Sequence, residues 1–246
     1  DAGTGSEGNP FRTIQKGVSL LAPGVTVLVR GDASTPYLEQ VSISPGAELG
    51  DLANPMTVAA YPGDSPGING EFIRASGLMI GQGSRYVNNL IWRHIDIRNT
   101  LGPNMRADYT RYLTVEDCLL KEPGAPACMM IGQTFAYLIS RRNIFEVATA
   151  PTAVAHGIYL WETTSGGHSV YDNTFRGGRY RDAISTGREA YALEGWGKDS
   201  ECYGNKIYDP QDDGLQVEGG GARVAVWKNL VVRPVAAGMG IAPVKT

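Results

Sequence analysis

Residues 209–229, DPQDDGLQVEGGGARVAVWKN, decide how the rest of the chain is read. The end of this stretch opens the unit Val226-Trp227-Lys228-Asn229-Leu230-Val231, which has five earlier counterparts, at 202–207, 170–175, 140–145, 115–120 and 92–97. The fourth position of the unit reads Ile95, Cys118, Asn143, Asn173, Asn205 and Asn229, at intervals of 23, 25, 30, 32 and 24 residues. The sixth position is always apolar: Ile97, Leu120, Phe145, Phe175, Ile207 and Val231. The first part of the stretch, Asp213-Gly214-Leu215-Gln216-Val217, recurs between these units. It returns as His156-Gly157-Ile158-Tyr159-Leu160 and Asp182-Ala183-Ile184-Ser185-Thr186, and without the polar first residue at 127–131 and 237–241.

Periods of this length mean stacked units that share one core. Alternating apolar positions over five or six residues mean strands rather than helices. Together they predict an all-β chain folded as a right-handed parallel β-helix, one solenoid domain over 1–246 with two or three short strands per turn. Asn143, Asn173, Asn205 and Asn229 are expected to stack as an asparagine ladder at a bend, because a buried amide must find hydrogen-bond partners. Cys118 falls in the same stack and Cys202 at the inward first position of its unit, and both read as small buried residues.

Composition agrees. A hydrophobic content of 42% can supply a long continuous core, and 32 glycines suit a chain that turns often. The net charge of −3, with no basic run, argues against nucleic acid as a partner. No stretch approaches the roughly 18 apolar residues of a membrane span. Three cysteines without metal-ligand spacing predict neither a disulfide framework nor a zinc site. The chain opens on Asp1 rather than Met, which reads as a processed start, and a chain ending soon after 239–241 reads as continuing beyond Thr246. A monomer is expected.

At the start, Phe11, Ile14, Val18 and Leu21 share one helical face behind Pro10. A short capping helix within about 9–22 is expected to cover the open end of the solenoid. The apolar run Val25-Thr26-Val27-Leu28-Val29 follows Pro23-Gly24. This opening, Asn9-Pro10-Phe11-Arg12-Thr13-Ile14-Gln15 and then 23–29, resembles the start of the pectate-lyase-like β-helix superfamily, and 41–44 and 56–63 are similar to its next strands. The resemblance implies the fold. Its members include lyases, hydrolases, epimerases and inert fibres, so function must come from the site.

One group of candidate residues is the column His156, Asp182 and Asp213, which holds the same position on three successive turns. Rungs of a parallel sheet stand about 4.8 Å apart, so these residues become neighbours. Asp212 adds a carboxylate, and Glu218 and Glu162 stand at strand ends. Such a cluster binds a hard cation such as Ca²⁺ or shares a proton. The alternative is that each Asp only caps its turn through local backbone bonds. A second group is the longest irregular stretch, with Arg188, Tyr191, Glu194, Trp196 and Lys198. A ring beside cations suits an acidic sugar, as do Tyr159 and Trp161 on the neighbouring strand; the alternative is a solvated loop pinned by its aromatics. Arg106, Asp108 and Arg111 read as a solvated turn.

The resemblance implies roles for these groups. Calcium-dependent lyases of the superfamily hold Ca²⁺ against a uronate with carboxylates on consecutive turns, matching Asp182, Asp212, Asp213 and Glu218. They remove the C5 proton with a Lys or Arg, for which Lys198 and Arg188 are the local candidates. His156, Tyr159, Trp161, Tyr191, Glu194 and Trp196 would then contact an acidic polysaccharide, and the protein would act as a secreted, extracellular or periplasmic enzyme. Gln216 stands where one pectate lyase family has a further Asp. Polygalacturonase-like hydrolases use a similar Asp and Asp-Asp pair, but the turn after Asp213 lacks their His, which ranks hydrolysis second. An epimerase, or a non-catalytic binding or fibre module, is the remaining alternative.

Overall fold

The computed structural model describes residues 3–44, 49–81, 83, 85–149, 155–161, 165–186, 195–218 and 222–242. Among them the strands lie in three parallel sheets, and the chain visits the first, second and third sheet in turn. The first sheet runs from Thr26–Val29 through Met56–Ala60, Val87–Arg93, Thr110–Glu116, Ala136–Arg141, Ser169–Tyr171 and Glu201–Tyr203 to Ala225–Trp227. The second runs from Gly67–Asn69 through Asp96–Arg98, Leu119–Lys121, Ile144–Glu146, Thr174–Arg176 and Lys206–Tyr208 to Leu230–Val232. The third runs from Val41–Ile43 through Leu78–Ile80, Met105–Ala107, Ala127–Ile131, His156–Leu160, Ile184–Thr186 and Leu215–Glu218 to Met239–Ala242. The result is a right-handed parallel β-helix of about seven turns.

The repeat seen in the sequence is the register of these sheets. Ile68, Ile97, Leu120, Phe145, Phe175, Ile207 and Val231 pair rung to rung and point into the core. The Phe145 and Phe175 rings stack at 4.7 Å. Each such side chain covers the one before it, so the apolar column removes its surface from water continuously along the axis.

Between the first and second sheets the chain turns through one residue with φ between 54° and 66°: His94, Asp117, Arg142, Asp172, Gly204 and Lys228. Only one of the six is a glycine, so the left-handed conformation is held from outside. At four of the six, Asp117, Arg142, Asp172 and Gly204, the next residue is tied by its backbone N–H to the rung that follows. The backbone N–H groups of Cys118, Asn143, Asn173 and Asn205 donate to the side-chain oxygens of Asn143, Asn173, Asn205 and Asn229, each at 3.0 Å. The four Nδ2 groups donate to the carbonyls of Val115, Ser140, Val170 and Cys202 at 2.8–3.0 Å. Cys118 and Cys202 are buried free thiols, as expected.

A second left-handed column, Asn89, Tyr112, Tyr137, Gly167, Asp199 and Arg223, turns the chain into the first sheet, with φ between 53° and 71°. Beside it Leu138 N–H donates to His168 Nδ1 at 3.2 Å, and His168 N–H donates to Ser200 Oγ at 3.0 Å. Here too a side chain of one rung closes the backbone of the rung before. His168 is fully buried, and burial holds its imidazole down to about 4.

The capping helix is shorter than its apolar spacing predicts. It covers Ile14–Val18, with the Thr13 hydroxyl accepting from Lys16 N–H at 3.2 Å. Pro10 lies outside it, and Glu39 takes the first free N–H groups, those of Ile14 and Gln15, at 2.8 and 3.0 Å. The Gln15 amide pairs with both backbone groups of Ser42, at 2.6 and 3.1 Å. One side chain thus replaces a missing strand at the edge of the third sheet. No helix among the described residues is long and apolar enough to cross a membrane.

Candidate functional site

The third sheet carries the candidate site on its outer face. Its register aligns Ile158, Ile184, Leu215 and Met239, which places His156, Asp182, Asp213 and Ala237 in one column two residues upstream. Asp213 N–H donates to Asp182 Oδ1 at 3.1 Å, tying the two rungs together. Asp182 is 1% exposed. Its Oδ2 lies 3.1 Å from His156 Nδ1, but out of line for a hydrogen bond, and both atoms are buried without one. The His156 ring stacks on Tyr159 at 4.9 Å.

Carboxylate oxygens of Asp182, Asp212 and Asp213 lie within 4.8 Å of one another. Arg181 Nε donates to Asp212 Oδ2 at 2.8 Å and offsets part of the charge. Burial, and then the negative charges of Asp212 and Asp182, push the Asp213 carboxyl above its ordinary value. Glu218 lies outside this group of three, yet it shares an opening with Asp213. A Cβ on Gly240, one rung on, would collide with Asp213 Oδ2 and lie 3.3 Å from Glu218 Oε1. The glycine leaves room for both carboxylates on the outer face. Three convergent acidic side chains, with a fourth beside the same glycine, offer the oxygen donors that a hard cation takes.

Tyr159 and Trp161 follow on the same face, with rings 6.0 Å apart and tilted by 36°. Both are partly exposed, and the Trp161 indole N–H is buried without an acceptor. The loop group fares differently. Arg188, Tyr191 and Glu194 lie outside the described residues, as does Glu162. Trp196 corrects its expectation: it is 1% exposed and donates from Nε1 to Gln216 O at 2.8 Å, so its ring is a wedge under the strand end and not a platform for a sugar. Lys198 pairs its backbone with Gly166 and Ala222 at the head of the first sheet. The acids stand at the head of the third. The four residue steps from Asp182 to Thr186 span about 13 Å of extended chain, which the polypeptide runs before it reaches either Arg188 or Lys198.

Of the residues that the sequence assigns to a turn, the structure adds Arg106 to this face and puts Arg111 on the first sheet. Arg106 lies in the strand Met105–Ala107 and points outward, and Arg111 lies in Thr110–Glu116 with its guanidinium 3.8 Å over the Tyr86 ring. Asp108 is buried. In the register Arg106 pairs with Met79 and Met130, and Met130 pairs with Tyr159.

No protein-family model and no curated protein matches the sequence. Solved structures match its shape. An alginate lyase from Paenibacillus sp. str. FPU-7 superposes with a TM-score of 0.53 over 93% of this chain and 96% of that chain, at 9% identity. A rhamnogalacturonan lyase gives a TM-score of 0.34 over 98% of this chain and 58% of that chain, at 13% identity. Likeness at such identity concerns the fold.

Proposed function

We propose that this β-helix is a carbohydrate-active enzyme that lays an acidic polysaccharide along the outer face of the third sheet and cleaves it as a lyase. One observation carries the reading: Asp182, Asp212 and Asp213 converge on one face, where burial, and then the charges of Asp212 and Asp182, push the Asp213 carboxyl above its ordinary value. Carboxylates crowded in this way call for a cation or a proton. A fold shared with an alginate lyase supports the same reading.

Asp182, Asp212 and Asp213, with Glu218 across the Gly240 opening, would hold Ca²⁺. The ion would neutralise the uronate carboxylate and so ease loss of the neighbouring C5 proton. Tyr159, backed by the buried His156 ring stacked on it, gives the sugar an apolar surface beside the acids, with Trp161 next to it. Arg188, two residues past Thr186, is the proposed base, and Tyr191 and Glu194 are proposed sugar contacts. Lys198, whose backbone pairs with Gly166 and Ala222, is the other proposed base. The protein would act as a secreted monomer, where such polymers occur.

A hydrolase is the second reading. It rests on the convergence of the Asp182, Asp212 and Asp213 carboxylates, since glycoside hydrolysis uses a pair of carboxyl groups as acid and base or nucleophile. The deciding experiment is ultraviolet absorbance with pectate, alginate and other uronate polymers, in Ca²⁺ and in EDTA. The expected result is a Ca²⁺-dependent rise from the unsaturated uronate that β-elimination leaves. New reducing ends without that rise would transfer the assignment to hydrolysis. Neither signal would leave a binding or structural module.

A further inference from the structure

Arg106 and Asp108 form an ion pair whose acid is buried and whose base is exposed. Asp108 is 6% exposed and fixed on every side. Its Oδ1 accepts Gln133 N–H at 3.2 Å, its backbone N–H donates to Ile80 O at 3.0 Å, and its carbonyl accepts the Thr110 hydroxyl at 2.7 Å. Gly132 stands one rung on, where a Cβ would collide with Asp108 Oδ1. Asp108 Oδ2 takes Nε of Arg106 at 2.7 Å. That contact uses the inner side of the guanidinium. Among the described residues nothing else accepts from Arg106, so both Nη groups remain available on a side chain that is 40% exposed. Met79 and Met130 flank it in the column and supply no competing acid. A guanidinium held by Nε with its two Nη groups outward presents the fork that binds a carboxylate through two parallel hydrogen bonds.

We infer that Arg106, aimed by Asp108, is a subsite for the carboxylate of a uronate lying several sugars away from the Asp182–Asp213 cluster. The inference rests on the proposed function for its ligand class. The spacing follows from the register. Arg106, Met130, Tyr159 and Ser185 occupy consecutive rungs, and Asp182 shares the last. Three rungs span about 14 Å at the interstrand spacing. One pyranose is about as long as one rung, so a chain along this face places a sugar three or four residues from the acids beside Arg106. Tyr159 lies under the sugars between.

The experiment measures binding and cleavage of size-defined oligogalacturonates, oligomannuronates and oligoguluronates, together with carboxyl-reduced counterparts. It uses the full chain, Arg106→Gln and Arg106→Lys, with melting curves to confirm folding. The wild type is expected to bind tetramers and longer oligomers more tightly than dimers. Arg106→Gln should remove that advantage, weakening long oligomers by about ten- to a hundredfold. Arg106→Lys should recover part of it, since it keeps the charge and loses the fork, and carboxyl-reduced oligomers should be insensitive to both changes. If the wild type cleaves uronates and Arg106→Gln keeps its full length dependence, the subsite is wrong and the lyase reading stands. Length-dependent binding that Arg106→Gln abolishes, with no cleavage of any polymer, would uphold the subsite and overturn the lyase. No uronate binding at all would overturn both.

Discussion

The asparagine corner and the outer face of the third sheet are built from the same rungs and solve opposite problems. At the corner the residue type is constant from Asn143 to Asn229, the four rung-to-rung bonds all measure 3.0 Å, and each amide bonds an N–H and a carbonyl of the rung before it. On the face, one column reads Ala127, His156, Asp182, Asp213 and Ala237. Like charges meet there, and polar atoms of His156, Asp182, Trp161 and Thr186 are buried without partners. A solenoid makes this contrast possible. The corner fixes the rungs, so the face can carry groups that would not be stable together elsewhere.

The largest effect expected is on chemistry. Asp213→Asn removes a charge from the crowded face and leaves the corner intact. It should lower kcat/KM on the active polymer by about a hundredfold or more and abolish any Ca²⁺ dependence, with little change in fold. Steady-state kinetics with and without EDTA read this directly. Full activity with unchanged Ca²⁺ dependence would remove Asp213 from the site.

A pH experiment sharpens the contrast between the corners and the face. His168 stays neutral down to about 4, against an ordinary value of 6.5, because it is buried. Between those values the unfolded chain takes up a proton that the folded chain refuses. The contribution is therefore fully present above about pH 6.5 and is lost as the pH falls toward 4, reaching about 3 kcal/mol. Denaturant unfolding across this range should show that loss in the wild type. His168→Gln keeps an acceptor for Leu138 N–H but cannot titrate, so its curve should lack this component. Equal slopes for the two proteins would mean that His168 is protonated in the fold.

How much of this was legible depended on which force sets each position. The apolar column from Ile97 to Val231 could be read because burial demands apolar side chains at a fixed period. The His156, Asp182 and Asp213 column could be read because the apolar residues after it share that register. The left-handed column at His94, Asp117, Arg142, Asp172 and Lys228 could not, because bonds from neighbouring rungs impose its backbone and no residue type marks it. Arg106 and Asp108 looked like turn residues because an early strand of three, Met105–Ala107, gives too short an alternation to notice. Trp196 looked exposed in a polar loop. The signal overlooked is its pair of flanking glycines, Gly195 and Gly197, both with positive φ, which let the backbone bend sharply enough to drive the ring inward.

The smallest effect expected falls on the corner itself. Asn205 Oδ1 was placed by sequence in the same position as Asn173 Oδ1, and each accepts one backbone N–H while Nδ2 donates to a carbonyl one rung away. Asn205→Ala leaves the Asn173 N–H and the Val170 carbonyl without those partners in the interior. Stability should fall by about 1–3 kcal/mol, or about 2–4 °C in Tm for each kcal/mol. Asn229→Ala acts on a half-open rung, where water can replace the lost amide, and should have the smaller effect. The order of the two is the informative result. If Asn229→Ala matched Asn205→Ala, the corner would be held by its left-handed backbone alone, and the amides would be passengers on it. If both variants kept wild-type Tm while Asp213→Asn lost activity, the face would not need the corner's hydrogen bonds, and packing of the apolar column would be what holds the acids in place.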